Sequence, residues 1–367
     1  MPSPLSVRHA KKDNPSQEDF MQRCLQLAVL GAGHTAPNPM VGAVLVYEGR
    51  IIGEGFHEQY GMAHAEVNCI RSVLPADRHL IPASTLYVSL EPCCHQGKTP
   101  ACTDLILQEK IPHVVIGCRD PFPRVNGKGI EKLLLAGIKV DYPVIEKRTA
   151  EINRRFFTFH QHHRPYIILK WAESANHKIS SSKGGRIQIS EDLSNRLVHQ
   201  WRGEEAGILI GTNTALLDNP ELTTRLWKGN NPVRIVLDQN LRLPKDLKIF
   251  DGSTRTIILN NTKDFSDGRL LYKKLNPENT AIGSILTALY ALDILSLLVE
   301  GGSKMLQSFI DEGIWDETRI ITNRKLNIPD GIPAPDLIGA ELSNTDHFRT
   351  DTISYYINLK NNLPQKS

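Results

Sequence analysis

The chain has 367 residues, 40% hydrophobic and 23% charged, with a formal net charge of +3 at pH 7. At about 150 residues per domain this is two globular domains rather than one, and a charge so near neutrality does not imply a nucleic-acid or membrane partner. No apolar run reaches the roughly 18 residues of a membrane span, and Met1–Pro15 lacks the apolar stretch of a secretory signal, so residues 1–15 read as a disordered tail and the protein as cytoplasmic.

Ser16 opens a helix with Asp19 three residues on, an imperfect capping box, and Phe20, Cys24, Leu27, Ala28 and Gly31 recur on one helical face. Val41–Tyr47 turns at Glu48-Gly49 into Arg50–Gly55 as a hairpin. His64–Leu74 follows as a helix, Thr85–Leu90 as a strand, Thr103–Lys110 as a helix, His113–Gly117 as a strand, Lys128–Ala136 as a helix and Ile138–Tyr142 as a strand. This alternation implies a layered α/β domain over residues 16–163. Lys147–Arg164 is polar and basic and ends in His160, His162 and His163; it reads as a solvated linker rather than a metal tract.

A second domain, residues 164–367, begins with the strand Tyr166–Trp171. Further strands are expected at Ala206–Gly211, Val233–Asp238, Thr256–Leu259, Leu295–Glu300, Glu317–Thr322 and Ile353–Leu359. Helices are expected at Asp192–Arg202, Ser284–Leu292 and Lys304–Glu312.

Six cysteines (Cys24, Cys69, Cys93, Cys94, Cys102 and Cys118) all lie in the first third, a clustering that suits metal or catalysis better than a disulfide framework. His64-Ala65-Glu66 is followed by Glu91-Pro92-Cys93 and then Cys102. One imidazole and two thiolates make a tetrahedral zinc site with an open fourth position, which distinguishes it from a closed structural site. Zinc there lowers the pKa of bound water, and Glu66, in the same helical turn as His64, is the catalytic acid–base that takes the water proton and hands it to departing ammonia. The zinc-deaminase signature H-x-E with P-C-x-x-C is not met to the letter, because Gln96 stands where its second cysteine falls. Cys102 is the next available thiolate; Cys94, adjacent to Cys93, diverges from it on an extended chain.

These motifs, with His95, Gly97-Lys98-Thr99-Pro100, Asp120-Pro121 and Gly127-Lys128-Gly129, resemble the bifunctional riboflavin-biosynthesis deaminase-reductase family over residues 16–359. The resemblance implies a cytidine-deaminase-like three-layer sandwich followed by a dihydrofolate-reductase-like domain. It implies zinc-dependent hydrolytic deamination of a diaminopyrimidine ribosyl phosphate, then NADPH-dependent reduction of the ribosyl chain to ribityl. Pro37-Asn38-Pro39 with Val41-Gly42 matches the deaminase substrate loop, which makes Asn38 a substrate contact. A homo-oligomer is expected.

In the second half Gly301-Gly302-Ser303, after a strand and opening a helix, is suited to phosphate approach but weak alone. By the resemblance Ala172, Thr214, Asp218 and Gly302 touch NADPH, and Arg202, Leu222, Arg225 and Glu300 touch substrate. Two segments depart from the family: Ala175-Asn176-His177 stands where Leu-Asp-Gly is usual, and Gly184-Gly185-Arg186-Ile187-Gln188 replaces a Gly-x-Ser-x-Trp. A substrate hydroxyl contact is then lost or taken over by Arg186. The stretch Asn323–Pro335 also matches poorly. Two other readings compete. One is a deaminase fused to a non-reducing binding module. The other is a nucleic-acid base deaminase, which 6% aromatic residues and near-neutral charge disfavour.

Overall fold

The structure, a computed structural model, describes residues 15–97, 100–182 and 187–362. The expected tail before residue 15 and Arg186 lie outside the described residues. The chain forms two compact units dividing at Asn153/Arg154, with Ala36–Pro39 grouped with the second.

The first unit opens with α1 (Gln17–Ala28), whose Ser16 side chain and Asp19 cap each other's backbone amides. It continues through β1 (Gly42–Tyr47), β2 (Arg50–Phe56), α2 (Ala65–Ser72), β3 (Thr85–Leu90), α3 (Cys102–Gln108), β4 (His113–Cys118), α4 (Lys128–Leu135), β5 (Lys139–Asp141) and α5 (Glu146–Ile152). The sheet order is β2-β1-β3-β4-β5, antiparallel on either side of β1 and parallel from β3 to β5. Alternate residues of β1 enter two cores. Ala43 and Leu45 pack with Cys69, Ile70, Ile106 and Leu133, while Val44 and Val46 pack with Phe20, Met21 and Cys24 of α1. A sheet covered on both faces explains why β1 is a continuous apolar run. This is the three-layer sandwich the resemblance implied.

The second unit begins one helix earlier than the sequence suggested. The supposed linker is α5 and then α6 (Arg154–His162), which buries Phe156 and Phe159. Arg154 pairs with Glu317 at 3.0 Å and Arg155 with buried Glu205. His160 packs against Phe156, ring centroids 4.4 Å apart, and burial pushes its imidazole down to about 4. The polar sequence disguised an amphipathic helix anchored by ion pairs, so the solvated-linker expectation is corrected.

From there run β6 (Tyr166–Ser174), β7 (Lys178–Ser181), α7 (Asp192–Glu204), β8 (Gly207–Gly211), α8 (Thr212–Asp218), β9 (Val233–Leu237), β10 (Thr256–Asn260), β11 (Phe265–Asp267), β12 (Leu270–Lys274) and α9 (Ala281–Tyr290). β13 (Ser296–Val299), α10 (Ser303–Glu312), β14 (Glu317–Asn323), β15 (Gly331–Pro333), β16 (Ala340–Phe348) and β17 (Asp351–Asn358) follow. The ten-stranded sheet has the order β11-β12-β10-β9-β8-β13-β6-β14-β17-β16. It is parallel from β12 to β14 and antiparallel at both margins. Helices α9 and α10 cover one face through Ile285, Leu289, Leu306 and Phe309, and Val198 and Trp201 of α7 pack on the other. β7 and β15 pair as a separate two-stranded ribbon. The long polar edge strand β16 went unrecognised, because a strand with most of its residues exposed carries no apolar alternation.

The departure at 175–177 has a structural account. Ser174 donates to the Asn176 side chain at 2.7 Å, and Asn176 exchanges hydrogen bonds with Ile328. His177 sits at φ +54°, the left-handed region a glycine would occupy, and its ring meets Glu173 at 2.8 Å. Histidine is among the side chains that tolerate this region. The β6–β7 turn is therefore built with different residues.

Candidate functional site: a three-ligand metal centre and a charged cavity

In the first unit three strand and helix ends converge. His64 is the N-cap of α2, Cys93 follows the end of β3, and Cys102 is the first residue of α3. Their ligand atoms all lie within 4.8 Å of one another, the one such group of three found among the described residues. His64 Nδ1 is 3.3 Å from Cys102 Sγ and 3.6 Å from Cys93 Sγ. Cys102 N–H donates to Cys93 Sγ at 3.3 Å. Cys93 is the thiol held well down, by hydrogen bonds from Cys102 and His64. An imidazole and two sulfurs fit zinc, which takes N/S donors in tetrahedral geometry and leaves a fourth position for chemistry. Cys94 points elsewhere, its Sγ 3.6 Å from the Arg124 carbonyl.

Glu66, in the first turn of α2, is 3% exposed. Burial, then the neighbouring Cys93 sulfur, pushes its carboxyl up, which suits a group that must both take and give a proton. Asn38 lies in the segment Ala36–Pro39, which is grouped with the second unit rather than with the three metal ligands.

A residue named so far only as part of a motif ties the Pro92-Cys93 corner to α4. Glu91, 4% exposed, accepts from the backbone amides of Asp120 at 3.2 Å, Gly127 at 2.9 Å, Gly129 at 2.8 Å and Ile130 at 3.2 Å. It thereby satisfies the orphan amides that open α4 and places its charge at the positive end of the helix. A Cβ at Gly129 would stand 2.2 Å from the Pro92 carbonyl oxygen, so the close passage of α4 past Pro92 requires glycine there. His95 also emerges: its Nδ1 is buried without a hydrogen-bond partner among the described residues.

In the second unit Ala172, Arg202, Thr214, Asp218, Leu222, Arg225, Glu300 and Gly302 all line one cavity of about 1020 Å³. They come from the β6 strand, helix α7, helix α8 and the loop that follows it, and the β13–α10 turn, with β6, β13 and β8 adjacent in the sheet. Arg202 and Glu300 form a two-point ion pair, Nε–Oε1 2.9 Å and Nη2–Oε2 2.7 Å. Arg202 and, next, Lys170 hold Glu300 down at about 2 against the opposing effect of burial. Lys170, half-buried on the same strand as Ala172, also lines the cavity, and desolvation lowers its ammonium pKa. A lysine between the apolar residues Leu169 and Trp171 was the available sequence signal.

Gly301 cannot carry a side chain, since its Cβ would lie 2.7 Å from Ile210 Cα and 2.8 Å from Gly211 N. Gly302, the N-cap of α10, donates to Thr214 Oγ1 at 2.9 Å. Its imagined Cβ meets that same oxygen at 3.3 Å. Leu222 is buried at φ +54°, whereas the Arg225 side chain is 48% exposed and pairs only loosely with Glu221, 3.6 Å away. Ile187, Gln188, Ile189 and Ser190 line the cavity as well, as do Gln239, Asn240, Arg242 and Lys248, which sequence reasoning passed over. Their polar loop after β9 has no fixed motif.

Residues 14–118 match the family model of the cytidine and deoxycytidylate deaminase zinc-binding region, and 165–326 match the RibD C-terminal domain. The riboflavin biosynthesis protein RibD of Aquifex aeolicus is 38% identical over 325 residues, 87% of this chain and 90% of its own. That of Actinobacillus pleuropneumoniae is 35% identical over 84% of each chain. A crystal structure from Thermotoga maritima, a diaminohydroxyphosphoribosylaminopyrimidine deaminase/5-amino-6-(5-phosphoribosylamino)uracil reductase, is 36% identical and superposes with a TM-score of 0.83 over 93% of this chain and 98% of that one. Acinetobacter baumannii RibD gives 0.84 at 28% identity over the same shares. The zinc-binding deaminase unit and the NADPH-dependent, dihydrofolate-reductase-like unit are thus two halves of one enzyme, and the chain belongs to the RibD family of bifunctional riboflavin-biosynthesis proteins.

Proposed function

We propose that the first unit hydrolytically deaminates 2,5-diamino-6-(5-phosphoribosylamino)pyrimidin-4-one, a cyclic-amidine C–N cleavage, and that the second unit reduces the ribosyl chain of the product to ribityl. The observation that carries this reading is the gathering of His64, Cys93 and Cys102 beside buried Glu66, on a chain whose other unit gathers the eight reductase residues in one cavity.

His64, Cys93 and Cys102 would hold zinc, which when bound lowers the pKa of a water ligand towards neutrality. Glu66 takes the proton of the attacking water and delivers it to the leaving amino group, so its carboxyl cycles between two protonation states within one turnover. His95 offers its Nδ1, which has no hydrogen-bond partner among the described residues, to the pyrimidine or its phosphoribosyl arm, and Asn38 is the further substrate contact.

In the second unit NADPH supplies the hydride. Ala172, Thr214, Asp218 and Gly302 would hold it, and the α10 N-terminus would suit its phosphates. Arg242 and Lys248 supply the positive charge an additional ribose phosphate calls for. Arg225 and Arg202 grip the substrate phosphate end, Leu222 lies along the substrate, and Glu300 orients Arg202 while reaching the substrate itself.

The domain assignment that goes with this reading is residues 16–163 for deamination and 164–367 for reduction, with α6 belonging structurally to the latter. All six cysteines are free thiols and no helix among the described residues is long and apolar enough to cross a membrane, which supports a cytoplasmic location. A homo-oligomer is supported by exposed Val29, Leu30, Tyr60 and Met62, apolar side chains on two segments joined by the Tyr60 amide donating to the His34 carbonyl.

Product analysis with purified protein, zinc, NADPH and the diaminopyrimidine tests the whole assignment. Loss of one amino group followed by gain of two hydrogens is expected. Deamination without NADPH consumption would instead favour the binding-module reading of the second unit.

A further inference from the structure

We propose that His199 is a positioning residue of the reductase, whose imidazole fixes the backbone on either side of Arg225 so that the guanidinium meets the phosphate end of the substrate. The proposal rests on the reading of Arg225 as the phosphate grip.

His199 lies on α7 one turn before Arg202, lines the cavity and is only 4% exposed. Its Nδ1 accepts from the Leu226 backbone N–H at 3.5 Å, the peptide that follows Arg225. The Thr223 carbonyl is a further hydrogen-bond acceptor for the ring, and Arg202 Nη1 donates to that carbonyl at 3.4 Å. Thr224, between them, is tied to Asn231 through its amide at 2.9 Å and to the Asn230 carbonyl through its hydroxyl at 2.8 Å. Residues 222–227 are thus a short loop pinned from two sides, entered through Leu222 in the left-handed region. Within it Arg225 is the one side chain with a long reach and a weak partner.

An accepting Nδ1 needs an uncharged ring. Burial, then the nearby guanidinium groups of Arg202 and Arg225, pushes the imidazole down to about 4, and Glu300 and the Thr223 carbonyl oppose this without reversing it. A neutral histidine here sets the loop without adding a third positive charge, so the substrate phosphate is read by arginine alone. The Arg225 guanidinium offers planar paired donors, whereas an imidazolium would compete for the same oxygens.

The test is steady-state kinetics on the full-length zinc-loaded protein with NADPH and the deaminated phosphorylated intermediate, beside the same intermediate stripped of its phosphate. His199→Phe keeps ring volume but removes the acceptor. It should raise KM for the phosphorylated intermediate about tenfold, the scale of one lost buried hydrogen bond, with kcat and the NADPH KM changed by less than about twofold. KM for the dephosphorylated compound should not move. His199→Asn restores an acceptor near the Nδ1 position and should recover most of the affinity. The double variant with Arg225→Ala should be no worse than Arg225→Ala alone, because the histidine acts through the arginine. Deamination by the same protein and its unfolding transition report that the chain is folded.

An unchanged KM in His199→Phe overturns the proposal, as does equal loss with and without the phosphate, or an asparagine variant as impaired as the phenylalanine one. If Arg225→Ala itself leaves KM unchanged, the reading of Arg225 falls and the positioning role falls with it. If Arg225→Ala raises KM and His199→Phe does not, only the positioning role falls.

Discussion

The two units build their sites in opposite ways. In the first, every metal-facing residue sits at the end of an element inside a 39-residue span, and one carboxylate, Glu91, bolts the Pro92-Cys93 corner to the start of α4. In the second, Ala172 on β6 and Glu300 just past the end of β13 are far apart in sequence and become neighbours because β13 pairs with β6. A local site is defined by its spacing, whereas a distributed one is defined by sheet topology. Substitutions should therefore act in distinct ways in the two halves.

The largest contrast is expected at Glu66. Glu66→Gln preserves shape but cannot move a proton, and deamination should fall at least about 10²-fold with zinc content unchanged, while reduction of supplied intermediate proceeds normally. Parallel loss of both activities would break the separation of the two units. Close behind, Cys102→Ser should empty the metal site, because two protein ligands are too few to hold zinc tightly. Full zinc retention by metal analysis would remove Cys102 from the ligand set.

The glycine pair after β13 sharpens the comparison further. Gly301→Ala forces a Cβ to 2.7 Å from backbone and should both destabilise the reductase unit and raise the NADPH KM. Gly302→Ala meets only a hydroxyl at 3.3 Å and should be mild, while Gly302→Val, with branched bulk at the helix entrance, should raise the NADPH KM without touching deamination. An unaffected NADPH KM in Gly302→Val would place the cofactor phosphates elsewhere.

The smallest effect is a pH dependence confined to the reductase. Glu300 and Glu317 are both held at about 2 in the folded chain, below the ordinary glutamate value of 4.5, the first by Arg202 and the second by Arg319. A depressed carboxylate contributes stability that is present above its unfolded pKa and lost as pH falls through the folded one. Each should contribute on the order of 3 kcal/mol at neutral pH, lost between about pH 4.5 and pH 2. Calorimetry of Glu317→Gln should show a shallower acid limb for the reductase transition; an unchanged limb would mean other groups control it.

What the sequence disclosed follows the same division. His64, Glu66, Cys93 and Cys102 could be named because ligand chemistry restricts which residues can stand there. The ends of β1, β3 and β4 could be placed because these buried strands are largely apolar. Glu91 was quoted as part of a motif, yet its role was invisible, since four backbone amides leave no trace in side-chain identity. α6 was misread because its anchors are charged, and charge in a sequence looks like exposure until the partners, Glu205 and Glu317, arrive from far along the chain. The eight reductase residues came through family resemblance, whereas Arg242 and His199 needed the folded cavity.

The amide-wrapped Glu91 also bears on how the enzyme acquires its metal. Because that carboxylate is already satisfied by main-chain donors, the Cys93 corner is shaped by the protein before any ion enters, unlike small zinc domains in which ion and fold are inseparable. Chelation should then yield a folded, silent deaminase beside a working reductase, and returning zinc should restore turnover without a refolding lag. In a cell, scarcity of the ion would throttle the first step of the pair while leaving the protein intact, a reserve that can be switched on by supply alone.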